Sequence, residues 1–230
     1  TDLLCETVVK EGAHIGIALD GDADRVFIAD EIGNVIDGDQ IMAIIAKSWK
    51  EQNRLQGAGI VGTVMSNLNL EKYLQEIGLS FLRTQVGDKH VMQQMLVRGI
   101  NIGGEQSGHI ILKDYNTTGD GLIAALEVLA VLVGSKQKTS EISHLFKPLP
   151  QLLRNVHFSG ITPLKENEVV QAVHKGKNLL GDKGRLLVRE SGTERVIRVM
   201  IEGNDRKFIT KLADKICEVI KRVSDLRGNG

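Results

Sequence analysis

Three aspartates, Asp20, Asp22 and Asp24, stand at alternate positions between two apolar segments, and Arg25 follows them directly. Like charges about 4 Å apart repel by roughly 4 kcal/mol at an effective dielectric constant of about 20. Three carboxylates this close are therefore either all solvated or bound to a cation, and hard divalent ions such as Mg²⁺ and Ca²⁺ prefer oxygen ligands. An extended loop would point all three to one side. The spacing favours a divalent metal site, with Mg²⁺ preferred if a phosphate supplies a further ligand.

The acidic segment also partly matches the EF-hand calcium loop, with Glu31 at the last acidic position. However, Arg25 occupies the position where the EF-hand turn needs glycine, and both flanks have the composition of strands. A solvated acidic turn without any ligand and a Ca²⁺-binding module remain as alternative interpretations.

A second polar turn joins two apolar segments near the C-terminus. Arg189, Ser191, Gly192 and Thr193 form it, and Arg198 follows on the next apolar segment. The hydroxyls can donate hydrogen bonds, the glycine lets backbone approach a ligand, and the two guanidinium groups can bind phosphate oxygens in bidentate fashion. We expect a phosphate-binding loop here, the alternative being a hairpin turn with a surface salt bridge.

A glycine-rich turn over residues 103–109 carries Glu105, Ser107 and His109. Carboxylate, hydroxyl and imidazole groups suit a polyhydroxylated ligand, because each sugar hydroxyl both donates and accepts hydrogen bonds. Taken alone, the turn is also compatible with a simple strand connection.

A fourth polar cluster follows Gly87 at a strand-to-helix junction. Asp88 is explained as a helix N-cap, whereas Lys89 or His90 could face a phosphate or take part in proton transfer.

Composition excludes several function classes. The 230 residues carry 29 basic and 29 acidic side chains, and zero net charge argues against a nucleic-acid or membrane-surface partner bound through a basic field. Cys5 and Cys217 are far apart, which is typical of reduced thiols in a cytoplasmic protein. No apolar run reaches the roughly 18 residues of a transmembrane helix.

The chain starts without methionine, and we expect it to be part of something longer.

The positions of apolar residues predict the fold class. Strands alternate with helices over about residues 35–134, which predicts an α/β, doubly wound and mostly parallel sheet whose ligands bind beyond the carboxyl ends of the strands. After the break at 148–150 the order changes to strand, helix, strand, strand and helix, which predicts a smaller α+β C-terminal domain.

Together the four motifs resemble the α-D-phosphohexomutase superfamily, and Gln106 in the glycine-rich turn favours its bacterial phosphoglucosamine mutase branch. The resemblance implies that this chain is the C-terminal part of a four-domain enzyme and lacks the domain with the nucleophilic phosphoserine. Residues 1–33 would be the end of domain 2 with the metal loop, 34–147 domain 3 with the sugar-binding loop, and 148–230 domain 4 with the phosphate-binding loop.

The resemblance also implies an activity. Such enzymes interconvert glucosamine 6-phosphate and glucosamine 1-phosphate through a sugar bisphosphate, which also serves as activator, and the product leads to peptidoglycan precursors. One Mg²⁺ per chain would be held by the three aspartates, while Arg25, Lys89 and His109 would be catalytic. The substrate-binding residues would be Glu105, Ser107, Arg189, Ser191, Gly192, Thr193 and Arg198.

Besides the missing serine loop, the chain departs from the family pattern at two sites: Arg195 replaces a common proline, and Lys89-His90 replaces a common Arg-Tyr pair. The alternatives are another phosphohexomutase acting on glucose or mannose phosphates, or a non-catalytic phosphosugar-binding remnant. We expect the ligand to be a small-molecule phosphosugar and the isolated chain to be inactive. A homodimer is left open.

Overall fold

The computed structural model of the chain describes residues 1–192 and 194–228, with side chains as far as Asp225. The chain forms two compact units, Thr1–Lys147 and Pro148–Gly230. None of the described helices combines the length and the apolar character that a membrane crossing requires. The first unit contains, in chain order, α1 (Asp2–Glu11), β1 (Ile15–Leu19), β2 (Val26–Asp30), β3 (Val35–Ile36), α2 (Gly38–Glu51), β4 (Gly59–Thr63), α3 (Leu68–Glu76), β5 (Ser80–Thr84), α4 (Asp88–Arg98), β6 (Ile102–Gly104), β7 (Ile110–Leu112), α5 (Gly121–Ser135) and α6 (Thr139–Ser143).

Strands β1, β2 and β3 form a small antiparallel sheet. Leu19 at the end of β1 pairs with Val26 at the start of β2, so residues 20–25 form a hairpin connection. Within β2, Val26 and Ile28 are buried in the main core of the unit. The hairpin is therefore fixed at its base by packed apolar side chains.

The central sheet of the first unit has the order β5-β4-β6-β7. Strand β4 pairs in parallel with both β5 and β6, while β7 is antiparallel to β6. Adjacent residues of a strand point to opposite faces: Ile60 enters the core that α2 lines, whereas Val61 packs with Val91 and Met95 of α4. Helices thus cover both faces, which confirms the predicted α/β sheet.

Helix α2 anchors the larger core. Asp37 caps it by accepting a hydrogen bond from the Gln40 amide at 3.0 Å, as N-cap chemistry predicts. Near its end the fully buried Trp49 donates to the Glu127 carboxylate of α5 at 2.8 Å. Arg54 pairs with the same carboxylate at 3.0 Å and stacks 4.4 Å above the Trp49 ring. This cluster joins α2 to α5 behind the central sheet.

The second unit is an antiparallel sheet of order β8-β10-β9 covered by helices. Its elements are β8 (Gln151–His157), α7 (Asn167–Leu180), β9 (Gly184–Glu190), β10 (Val196–Gly203) and α8 (Arg206–Gly228). Its core combines residues from all three strands with an apolar face of α8, such as Val156, Leu186, Ile197 and Ile216. The predicted α+β unit is confirmed. Cys217 is buried in this core and Cys5 is half-buried, and both are free thiols.

One local prediction was wrong. Asp88 is the first residue of α4 and not its cap, because Gly87 occupies the cap position with φ +123°. Helix α5 starts at Gly121, where the Asp120 side chain accepts from the Ile123 amide. Helix α6 was not predicted, since its five residues offer too few apolar positions for a helical pattern.

Candidate functional site

The acidic hairpin brings its three carboxylates together. Asp20, Asp22 and Asp24 each offer a carboxylate oxygen within 4.8 Å of the others. The backbone is not extended as predicted: Ala23 adopts φ +59°, its amide donates to the Asp20 carbonyl, and the Asp20 amide donates to the Arg25 carbonyl. A tight turn, not strand periodicity, makes the carboxylates converge.

These donors fit a hard divalent cation. All three are carboxylates, all three are at least partly accessible, and oxygen donors of this kind are what Mg²⁺ and Ca²⁺ select. Arg25 Nε lies 3.8 Å from both Asp20 Oδ2 and Asp24 Oδ1. Its half-exposed guanidinium offsets only part of the negative charge, because exposed ion pairs are worth about 0–1 kcal/mol.

His109 connects the acidic hairpin to the glycine-rich turn. The residue is 7% exposed, Nδ1 lies 3.1 Å from Asp24 Oδ2, and Nε2 accepts the Gly119 amide at 3.2 Å. Sequence reasoning selected His109 but missed Gly119, because no local pattern indicates contacts across ten residues. The structure thus brings Asp24, Arg25 and His109 together, with residues 25 and 109 also forming an isolated β-bridge.

The glycine-rich turn is closed by its own backbone. The Glu105 amide donates to the His109 carbonyl at 2.9 Å, and the Gly108 amide donates to the Glu105 carbonyl at 3.0 Å. Glu105 Oε1 accepts the Gly87 amide at 2.9 Å, which orients this carboxylate from the start of α4. Ser107 is exposed at the tip of the turn. The turn therefore presents one oriented carboxylate and one accessible hydroxyl.

The start of α2 supports the same turn from behind. The Gly38 amide donates to the Gln106 carbonyl at 3.0 Å, and Gln106 Nε2 donates to Asp37 Oδ2 at 3.3 Å. Burial raises the pKa of Asp37 against the lowering effect of its hydrogen bonds from the Gln40 amide and the Gln106 side chain. Capping of α2 is one role of Asp37, and the bond from Gln106 is a second. Its second role needs a contact across 69 residues, which spacing cannot reveal.

Asp39 is a buried acid that sequence reasoning also missed. It is fully buried, Oδ2 accepts the Asn67 amide at 2.7 Å, and Oδ1 has no hydrogen-bond partner within the described residues. Burial, reinforced by the charge of Asp37, raises the pKa of Asp39 to about 7. Arg83 binds the Thr63 and Ser66 carbonyls nearby at 3.2 and 2.7 Å. Both side chains hold the loop that leaves the carboxyl end of β4.

Lys89 is accessible to solvent at the start of α4. It is exposed on the first turn of α4 and lines a shallow cavity of about 440 Å³ with Asp88, Thr117 and Thr118. Gly87, two residues earlier, carries the amide bound to Glu105. Lys89 is thus placed at the rim of the glycine-rich turn.

In the second unit, the predicted phosphate loop connects β9 to β10. Arg189 and Arg198 are cross-strand partners in this hairpin, and Ser191 is buried with its amide donating to the Val196 carbonyl at 2.8 Å. Burial, together with the charge of Arg198, lowers the pKa of Arg189. Gly192 is exposed, and Thr193 lies outside the described residues. Like charges placed opposite each other destabilise a sheet, so an anion at this pair would relieve repulsion.

Both units of the chain match models of a known protein family. Residues 37–149 match the family model "Phosphoglucomutase/phosphomannomutase, alpha/beta/alpha domain III", and residues 153–219 match its "C-terminal domain" model. The phosphoglucosamine mutase of Parvibaculum lavamentivorans is 58% identical over 218 residues, covering 95% of this chain and 49% of that protein. That of Sphingopyxis alaskensis is 54% identical over 219 residues, with the same coverages. The chain spans about half the length of the curated relatives it matches.

Solved structures show the same fold. The N-acetylphosphoglucosamine mutase of Aspergillus fumigatus, solved with GlcNAc-6P and magnesium, superposes with a TM-score of 0.74 at 21% identity, covering 89% of this chain and 52% of that one. A phosphoglucomutase/phosphomannomutase family protein from Burkholderia thailandensis gives 0.75 at 21% identity, covering 95% and 49%.

Proposed function

Since the chain belongs to the phosphoglucomutase/phosphomannomutase family, we propose that it is the metal-, sugar- and phosphate-binding part of a phosphoglucosamine mutase. The intact enzyme would interconvert glucosamine 6-phosphate and glucosamine 1-phosphate through a bisphosphate. The convergence of Asp20, Asp22 and Asp24 within 4.8 Å carries the proposal, because phosphoryl transfer is catalysed largely by positioning and by charge stabilisation around a metal.

Each side chain then has a defined task. The three aspartates would hold Mg²⁺, which when bound neutralises charge on a transferring phosphoryl group. Arg25, which contacts two of those aspartates, would present a positive charge beside that group. Glu105, held by the Gly87 amide, would accept hydrogen bonds from sugar hydroxyls, with Ser107 as a further partner.

The second unit would bind the phosphate that does not react. Arg189 and Arg198, paired across two strands, match a phosphate dianion in charge and in donor geometry. Ser191, Gly192 and Thr193 complete the proposed loop. Lys89 is proposed to assist proton transfer from the rim of the glycine-rich turn. We also predict a cytoplasmic location and no nucleic-acid or membrane partner. Whether the protein forms a homodimer is left open.

Binding calorimetry on the 230-residue chain tests the proposal. We expect Mg²⁺ to bind, glucosamine 6-phosphate to bind more tightly with Mg²⁺ than without, and Asp22→Asn to abolish the difference. The exposed Asp182→Asn serves as matched control. The proposal would be contradicted if the wild-type chain bound glucosamine 6-phosphate equally well with and without Mg²⁺. Binding of Ca²⁺ that does not respond to phosphosugar would also contradict it and would favour the calcium-module interpretation.

Activity assays separate the remaining alternatives. The chain alone should show no mutase activity even with Mg²⁺ and a sugar bisphosphate, and turnover at the rate of an intact enzyme would refute its assignment as a part without the nucleophile. Glucose 6-phosphate and mannose 6-phosphate, titrated in parallel, distinguish another phosphohexomutase, which would bind one of them more tightly than the amino sugar.

A further inference from the structure

The acidic hairpin and the glycine-rich turn are joined by backbone as well as side chains. The Val26 amide, directly after the hairpin, donates to the Gly108 carbonyl at 3.1 Å. The Gly121 amide donates to the Ala23 carbonyl inside the hairpin at 2.9 Å. His109 lies between these two bonds. Movement of the hairpin must therefore displace the segments on both sides of the His109 ring.

The two ring nitrogens of His109 have different roles. A backbone amide can only donate, so Nε2, which lies 3.2 Å from the Gly119 nitrogen, must be the accepting nitrogen. The neutral ring then carries its proton on Nδ1 and donates it to Asp24 Oδ2 at 3.1 Å. Both ring nitrogens are thus engaged within the fold. Proton exchange with a substrate would require one of these bonds to break.

The ring is also held sterically. A Cβ on Gly119 would lie 2.4 Å from the ring carbon Cε1 of His109, so backbone packs directly on the imidazole. Gly108 adopts φ +92°, and a Cβ there would lie 2.3 Å from the Val26 carbonyl oxygen. The Gly119 contact leaves the ring little room to change its direction, and the Gly108 contact holds the backbone next to His109 against β2.

From these contacts we propose that His109 is a positioning residue, not a proton-transfer residue: it orients Asp24 for the divalent cation and makes cation binding and order in the glycine-rich turn depend on each other. The inference rests on the proposed function for the identity of the cation. Histidine and carboxylate partners behind metal ligands commonly set ligand orientation. If metal binding orders the turn, a sugar that orders the turn must raise metal affinity by the same factor.

Two substitutions of His109 distinguish the roles of its two ring nitrogens. The side-chain amide nitrogen of asparagine can take the place of Nδ1 and still donate to Asp24. Glutamine reaches the place of Nε2 and leaves Asp24 without its donor. If His109 acted only by filling space, both substitutions would weaken metal binding. If it acts by donating a hydrogen bond to Asp24, His109→Asn should retain metal binding and His109→Gln should not. His157→Gln, at an exposed histidine of the second unit, is the matched control.

Metal affinity is the first readout. With Mn²⁺ alone as probe, and the free ion followed by electron paramagnetic resonance, we expect His109→Gln to bind roughly 10–100-fold more weakly than the wild-type chain. The Mn²⁺ affinity of His109→Asn should stay within about threefold of wild type, and that of His157→Gln should be unchanged. Equal affinities for wild type and His109→Gln, or equal losses for the two His109 variants, would overturn the proposal.

Amide hydrogen exchange is the second readout and uses the wild-type chain. Mn²⁺ should slow exchange at residues 20–26 and also at 104–109 and 119. Slowing confined to residues 20–26 would refute the coupling, even if a variant failed to fold. If the wild-type chain binds no Mn²⁺, the proposed function fails, while the positioning role is still tested: exchange at residues 20–26 without metal should be faster in His109→Gln than in His109→Asn, and equal rates would refute it.

Discussion

Replacing Asp39 by asparagine should make the first unit more stable at pH 8 and less stable near pH 4.5. The carboxyl group is fully buried, its Oδ1 has no partner within the described residues, and Asp37 lies close by. Burial first, and then the charge of Asp37, raises its pKa from 3.8 to about 7. Arg83 offsets only part of that cost. The folded chain therefore holds this proton more tightly than the unfolded chain.

The sign of the pH dependence follows from that difference. A raised carboxyl pKa contributes stability that is fully present below pH 3.8 and is lost as the pH rises towards about 7. Roughly 3 pKa units at about 1.4 kcal/mol each correspond to a loss on the order of 4 kcal/mol. Asparagine does not ionise, but its amide group would bring buried donors that lack acceptors, at a cost of about 1–3 kcal/mol. Asp39→Asn should thus gain about 2 kcal/mol over wild type at pH 8 and be about 1 kcal/mol less stable than wild type near pH 4.5, where the wild type has already lost about 1 kcal/mol.

Urea unfolding followed by tryptophan fluorescence measures this directly. Trp49 is the single tryptophan and is fully buried in the first unit, so its emission reports on that unit alone. The exposed Asp88→Asn removes a charge without a burial effect and serves as control. Groups common to both chains cancel in the difference at each pH. A stability difference that does not change with pH, or a wild type that is the more stable chain at pH 8, would refute the reasoning.

Three further predictions concern other clusters. Glu127→Gln removes the charged partner of Arg54 and should cost about 1–3 kcal/mol in the same fluorescence assay. Burial alone would raise the pKa of Asp30, but hydrogen bonds led by His144 lower it. The stability that ionised Asp30 contributes is present above pH 3.8 and is lost as the pH falls below that value. Asp30→Asn should therefore lose less stability than wild type when a pH series is taken into the acid range. Inorganic phosphate should raise the melting temperature of the second unit in the wild-type chain but not in Arg198→Gln, as calorimetry would show.

Each of these has a control at an exposed site of the same charge. Glu51→Gln, Asp2→Asn and Arg206→Gln change the net charge equally and should behave like wild type. Equal effects in variant and control would mean that net charge, and not the named contact, determines the result.

The elements of the fold could be predicted largely from local patterns. The cap of α2 is a local feature, because Asp37 acts within three residues, and β4 is a short apolar run between turns. The cap assigned to Asp88 was wrong because Gly87 can adopt φ +123° at that position, and backbone angles leave no direct mark on spacing.

The candidate site could be predicted only in part. The residue types that bind metal and phosphate are visible in sequence because their chemistry is specific. The bond from His109 to Asp24 spans 85 positions, and the environment of Asp39 depends on Asn67, 28 positions away. Such contacts arise when β2, β6 and α2 pack together. They follow from tertiary structure, which no local periodicity encodes.

The glycine contacts between the acidic hairpin and its neighbours also limit how such proteins can be recombined. Gly108 packs on the Val26 carbonyl, Gly119 packs on the His109 ring, and no side chain lies between them to absorb a mismatch. A chimera that exchanged residues 15–30 with a distant relative, but kept residues 104–121, would join two surfaces shaped by different backbones. The two segments therefore form one unit of exchange, and enzyme engineers should transplant them together.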